Sequence, residues 1–404
     1  MKSTMYMLVV ISFTILLLES CGKTTIENLN REELFSLGLG KMENQIDLFQ
    51  VPGVPLKRKN CIYRKGGRIY ISNGNSAKIM EFTTYGDLVF LLQNEEENPE
   101  TIILESDVNR EDFTNRSAQS FPFQNIGSVV VDGQKRLYVE DEVPANQREV
   151  DDKTGAVYYK RILRFDRDGK LIDFLGQEGI GGTPFPFIQS LHITASDELV
   201  IISRLMSEWI IFWFNSEGFP IYNVHVDNEH LPSRENSIVS LDKVMPDYRR
   251  RDLLFMVTFY EEQINPSTQT RHAISKSLGR IYRFNLETEA YTGYVEVPDS
   301  GTRKETVGGM ELEVPAPSYE LLGITLDGNY FFMRPMEFNR YELLALSESG
   351  EVRARRIFTI EDSEIYFKSL NLSEEGILSA LLCFQEEVRI VSWRSDTLVR
   401  EEPQ

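Results

Sequence analysis

One pattern returns along most of this chain: a short run rich in β-branched and aromatic residues, a tight turn, and a second such run. It stands in ILRFDRDGKLIDFLG (162–176), KIMEFTTYGDLVFLL (78–92), IIFWFNSEGFPIYNVHV (210–226) and YELLALSESGEVRARRIF (341–358). IYRFNLETEAYTGYVEV (281–297) and VRIVSWRSDTLVRE (388–401) keep the strand pattern without the turn glycine. Glycine supplies a positive φ at no steric cost, so each reads as an antiparallel hairpin. A shorter strand–turn–strand precedes every one of them. These are IYRKGGRIYISN, NIGSVVVDGQKRLYVED, IQSLHITASDELVIISR, LLGITLDGNYFFMRP, FKSLNLSEEGILSALLCF and the degenerate VSLDKVMPDYRRRDLLFMVTFYEE. Six units of four strands follow, starting near residues 56, 123, 187, 236, 319 and 366. Few stretches hold a 3.6-residue apolar period beyond two turns, so the chain reads as all-β.

At 404 residues and 41% hydrophobic, the chain exceeds what one simple core organises, and a modular fold resolves the excess. Stacked sheets cover both faces of their middle strands, which should then be continuously apolar. Glu208-Trp209-Ile210-Ile211-Phe212-Trp213-Phe214 is such a strand, and Leu378 to Phe384 is nearly another. The two tryptophans are expected in the packing between sheets.

Six such units resemble a six-bladed β-propeller of the NHL-repeat type. The junction RFDRDGKLIDFLGQEG then PFPFIQSLHI carries the resemblance best, with an apolar strand, a glycine-rich link and a proline-led inner strand. Taken whole, the chain looks like propeller lipoproteins of unassigned function in spirochaete-type diderm bacteria. The resemblance implies a ring of four-stranded antiparallel blades over residues 46–404, with edges hidden by closure. Gln45 to Phe49 is a candidate strand pairing across the seam. Asn30 with Glu33 three residues on predicts a short capped helix through Leu34 and Phe35. Cys61 and Cys383 fall in the first and last blades, which closure makes neighbours. A disulfide or two buried thiols are both open there.

The first residues read as an address. An early lysine is followed by an apolar run from Met7 to Leu18 and then Glu19-Ser20-Cys21. A run of twelve residues is too short to cross a hydrocarbon core of about 30 Å. The run fits the hydrophobic region of a secretory signal over residues 1–20. Its end resembles a bacterial lipoprotein box, which implies cleavage before Cys21 and lipidation of that cysteine. Glu19 departs from the small or apolar residue usual there. Gly22 in place of aspartate implies the outer membrane by family analogy. Residues 21–45 would be a tether, and the mature protein anchored in the cell envelope rather than spanning a membrane.

A net charge of −19 leaves no basic stripe for nucleic acid. No CxxC pair exists and only four histidines are present, so no cysteine/histidine zinc site and no other metal site or cofactor is expected. The long connections lie at 94–122, 141–160, 262–279 and 299–318. In a four-stranded meander these emerge at one end of each blade, and hence on one face of the disc. Two of them are acidic, with Glu95, Glu96, Glu97, Asp107, Asp112, Glu149, Asp151 and Asp152. They are either solvated loops or a docking surface for a basic or cation-bearing partner. Calcium-dependent lactonases with six-bladed propellers draw ligands from inner strands, where this chain offers Asn125, Asp132, His192, Asp242, Asp327 and Asn371. Asp132 and Asp327 precede glycine and suit turns, and His192 between Leu191 and Ile193 suits a satisfied core position. No GxSxG elbow is evident. The expectation is a non-enzymatic scaffold presenting its loop-rich face to another envelope protein. The alternatives are a lactonase or other hydrolase using the central channel, and a host-facing adhesin.

Overall fold

The computed structural model describes residues 27–48, 58–101, 116–152, 155–264, 271–307 and 310–399. It is all-β, a six-bladed propeller of four- and five-stranded sheets. Inner strands begin at Asn60, Val129, Ile188, Ser237, Glu320 and Phe367, close to the six starts expected from the repeats. Each blade is an antiparallel meander outward from the axis. The packing is inter-blade: each of six apolar clusters is built from the facing sides of two neighbouring blades. Trp209 and Trp213 are both buried in the cluster between blades 3 and 4, together with Leu253 and Phe255. The run Trp209–Phe214 is buried at every position, as two covered faces require.

Closure differs from the sequence expectation. The fourth strand of blade 6 does not come from the carboxy-terminal residues, where Ser395–Leu398 is a 3-10 turn. It comes from the amino-terminal side: Arg31–Leu39 pairs antiparallel with Glu387–Trp393. The helix expected through Leu34 and Phe35 is therefore a strand, and the sheet reaches back into the segment read as tether. Gln45–Ile46 joins only as a short fifth strand, parallel to Gly38–Leu39. The open edge of Glu387–Trp393 explains the outcome: its unpaired backbone groups outweigh a local capping signal. Apolar packing adds to it, with Phe35 against Phe82 at 5.2 Å between ring centres. Gly86 in the next turn has φ +89, and a Cβ there would lie 2.7 Å from Phe35.

Cys61 and Cys383 are both free. Ile62 packs with Cys383 in the cluster between blades 6 and 1. Alternation turns the neighbouring Cys61 to the opposite face of its strand, toward Ser128 and Glu140 of blade 2. Adjacent blades thus do not bring the two sulfurs together.

The connections from first to second and from third to fourth strands are short, and they form one face of the disc. Their turns are capped alike: Asp132, Thr194, Thr325 and Ser373 each accept backbone N–H bonds from residues two or four positions on. Arginines tie neighbouring blades together on this face. Arg164 donates to the Glu217 carbonyl at 2.9 Å in the turn of blade 3. Arg283 joins buried Asp247 at 2.8 Å to Glu348 of blade 5 at 2.6 Å.

Candidate functional site

The opposite face carries the elaboration. The second-to-third connection of blade 2 holds a small hairpin, Glu149–Val150 with Val157–Tyr158. Between blades 4 and 5 stands a second hairpin, Thr302–Val307 with Met310–Pro315. In blade 4 the middle strands run Asp252–Ile264 and Arg271–Asn285. The first has 13 residues against six in blade 3, which adds roughly 23 Å of strand at 3.3 Å per residue. Four-stranded meanders bring these connections out at one end, so among the described residues the elaboration falls on a single face, as expected.

The acidic candidates separate on inspection. Glu95, Glu96, Glu149 and Asp152 face solvent. Glu97 is engaged internally, 3.3 Å from the Arg58 guanidinium. Asp151 accepts from the Tyr158 hydroxyl at 3.4 Å and closes its own hairpin. Asp107 and Asp112 lie outside the described residues, as does Cys21.

Large apolar side chains at loop tips were not singled out in the sequence. Met206 in the second-to-third turn of blade 3 is fully exposed, and Phe338 in the matching turn of blade 5 is 87% exposed. Tyr366, Met310, Val150 and Phe187 add to the same face. The turn face exposes fewer, chiefly Tyr85 and Phe219. Phe338 and Asn339 both have φ +58, a left-handed backbone that costs a bulky residue about 1–2 kcal/mol. A two-residue hairpin turn of the primed type requires φ > 0 at both central residues, and phenylalanine is an uncommon choice there. The signal in the sequence was the dipeptide Phe338-Asn339 where a two-residue turn favours Asn-Gly.

At the axial mouth of this face sits a buried charge cluster. The Glu140 carboxylate is fully buried, which alone would raise its pKa. The Lys59 and Lys160 ammonium groups at 2.8 and 3.1 Å outweigh burial and hold it below the usual range. Deeper in the channel, Ser190 Oγ lies 3.0 Å from His192 Nε2, and the Tyr248 hydroxyl lies 3.4 Å from Nδ1. His192 is partly buried and ringed by protein. That burial, with the nearby Lys243 charge, pushes its pKa down to about 3. Lys243 is itself lowered to about 8 by burial and donates to the Leu321 and Leu322 carbonyls. Such an imidazole stays neutral and is a weak proton acceptor, so the Ser190–His192 pair is a poor nucleophile–base couple at neutral pH.

The residues weighed as calcium ligands do not converge. Asn125 donates to Glu142, and Asp242 takes the Ser240 and Thr258 hydroxyls. Asn371 accepts the Arg64 N–H. Asp132 and Asp327 sit in turns of the other face. Among the described residues no three histidine, cysteine, aspartate or glutamate side chains come together as a metal site.

No family model matches the chain, and no curated protein matches it. Among solved structures it is similar to a protein of unknown function from Bacteroides caccae, at 10% identity and TM-score 0.38, over 82% of this chain and 94% of that one. It is similar at 10% identity and TM-score 0.38 to a gluconolactonase from Xanthomonas campestris, over 83% and 85% of the two chains. The Dos1 propeller is similar at 8% identity and TM-score 0.34, over 91% and 95%. Likeness at this level carries no activity across. The chain stands as a six-bladed propeller with one plain face and one elaborated, apolar-tipped face.

Proposed function

We propose that this is a lipid-anchored protein of the cell envelope whose elaborated propeller face docks another envelope protein. The observation that carries the reading is Phe338, held exposed on a left-handed backbone at the same face as Met206 and Tyr366. Exposed aromatic and methionine tips are what a protein interface uses as anchors, and single-face clustering separates them from scattered surface apolars. The exposed carboxylates of Glu95, Glu96, Glu149 and Asp152 lie on the blade 1 and 2 side of the same face and favour a partner with basic residues beside its apolar contacts. Cys21, at the end of a secretory apolar run, supplies the anchor, and Gly22 favours the outer membrane. An outward-facing version of the same arrangement would be an adhesin, and protease shaving of intact cells distinguishes the two.

The test is crosslinking in intact cells followed by mass spectrometry, repeated with residues 302–315 replaced by a short Gly/Ser turn and with Met206→Ser/Phe338→Ser. A specific envelope protein recovered with the wild type and lost with these variants supports the reading. Equal recovery from all three chains contradicts it.

A second reading, a hydrolase working in the channel, rests on the Ser190–His192 contact. A lactone and ester panel with wild type and Ser190→Ala tests it: activity abolished by the substitution would carry it.

A further inference from the structure

In blades 1 to 4 the residue that precedes the last aromatic of the third strand lies at the blade junction on the turn face; blades 5 and 6 hold the small Ala345 and Ser392 at that position. The pairings Ile69↔Phe82, Leu137↔Phe165, Leu199↔Phe214 and Leu253↔Phe284 make these positions equivalent. The preceding residues are Glu81, Arg164, Trp213 and Arg283. Arg164 spans to the next blade's turn, where Gly218 lies so close that a Cβ would sit 2.9 Å from the guanidinium. Trp213 donates to Glu198 at 2.7 Å, which Arg251 of the next blade grips at 2.6 Å. Arg283 reaches Glu348.

At the junction of blades 1 and 2 the residue is Glu81, and no such span closes the gap. A cavity of about 470 Å³ remains there. Its wall carries four cationic side chains, Arg68, Arg116, Lys135 and Arg167, against two carboxylates, Glu81 and Asp168. Arg116 pairs with Asp87 at 3.9 Å and Arg167 with Asp168 at 3.6 Å, so the positive charge open to a ligand centres on Arg68 and Lys135. Tyr70, Phe90 and Leu137 give it an apolar side. Arg68 lies 3.5 Å from Glu81, and Lys135 Nζ has no ion pair among the described residues. Lys135 is also held at φ +63, a left-handed backbone where glycine or asparagine is the ordinary choice. Burial raises the pKa of Glu81, with Arg68 and Lys135 opposing, and its carboxyl oxygens can accept from the hydroxyls of a ligand.

We propose that this groove binds a small sugar bearing one anionic group, with Arg68 and Lys135 on the anion, Glu81 on ring hydroxyls and Tyr70, Phe90 and Leu137 against the ring face. The volume lies within the range of about 300–1,000 Å³ typical of small-molecule sites. Cation pairs beside a carboxylate and an aromatic wall discriminate such a ligand from both a neutral sugar and a bare ion. The site lies on the face opposite the docking tips, so it stands or falls independently of the proposed function.

The test is isothermal titration calorimetry of the purified chain with glucose 6-phosphate, glucuronate, glucose and inorganic phosphate, each to about 10 mM at constant ionic strength. Binding of glucose 6-phosphate or glucuronate is expected, with glucose unbound and inorganic phosphate at least tenfold weaker. The two sugar anions separate a phosphate from a carboxylate preference. Arg68→Gln and Lys135→Gly should each weaken binding at least tenfold. Lys135→Gly relieves the left-handed backbone, so its melting temperature should be unchanged or higher, and loss of binding in it is not a folding defect. The proposal is overturned if neither sugar anion binds, if inorganic phosphate binds as tightly as they do, or if both variants bind like the wild type.

Discussion

Phe338 is the residue whose conformation and exposure disagree most with stability alone. Its left-handed backbone and solvent-facing ring give it no packing return. Phe338→Gly should therefore raise stability by about 1 kcal/mol in urea unfolding while lowering recovery of the docked partner. A loss of stability on this substitution would mean that the ring packs in the native state. His192 offers a second residue-scale test, through pH. Its folded pKa of about 3 lies below the unfolded value of about 6.5, so the unfolded state takes the proton first as pH falls. The stability it contributes is complete above about pH 6.5 and declines as pH falls toward 3. Between pH 7 and 5 the wild type should lose up to about 2 kcal/mol more than His192→Gln, measured by denaturant midpoints. Parallel losses in the two proteins would place His192 in contact with bulk water.

At the scale of elements, the ring depends on Arg31–Leu39. Leu37 is buried against Ile390 and Val388, and Leu37→Ala should cost about 2–5 kcal/mol. Hydrogen exchange should then accelerate together in Arg31–Leu39 and Glu387–Trp393, ahead of the strands of blades 2 to 4. Unchanged protection in Glu387–Trp393 would mean that the last blade does not rely on this strand. Hairpins such as KIMEFTTYGDLVFLL were legible because strand pattern and turn glycine are local and agree with each other. The unbroken run Trp209–Phe214 was legible as a strand covered on both faces. The closing strand was not: Asn30 and Glu33 carry a helix-start signal, and only the distant edge of Glu387–Trp393 overrides it. Of the acidic loop residues that the structure describes, Glu95, Glu96, Glu149 and Asp152 were legible as exposed, whereas Glu97 and Asp151 have partners, Arg58 and Tyr158, that composition does not show. The apolar tips were missed because a lone Met206 or Phe338 has no period; their grouping exists only once six blades share a face.

At the scale of the molecule, the disc divides its labour between faces. One carries short turns, capped alike in blades 2, 3, 5 and 6 and tied by Arg164 and Arg283, with the cavity beside Glu81 between blades 1 and 2. The other carries the hairpins, the lengthened strands of blade 4 and the apolar tips, and the docking proposal rests there. Site-specific photocrosslinking in intact cells tests that proposal most directly, with a photoreactive residue placed in turn at Met206, Phe338, Tyr85 and Phe219. The expected result is one envelope protein captured from positions 206 and 338 and absent from positions 85 and 219. Capture from the turn-face positions alone, or the same captured proteins from all four, would contradict a docking face on the elaborated side.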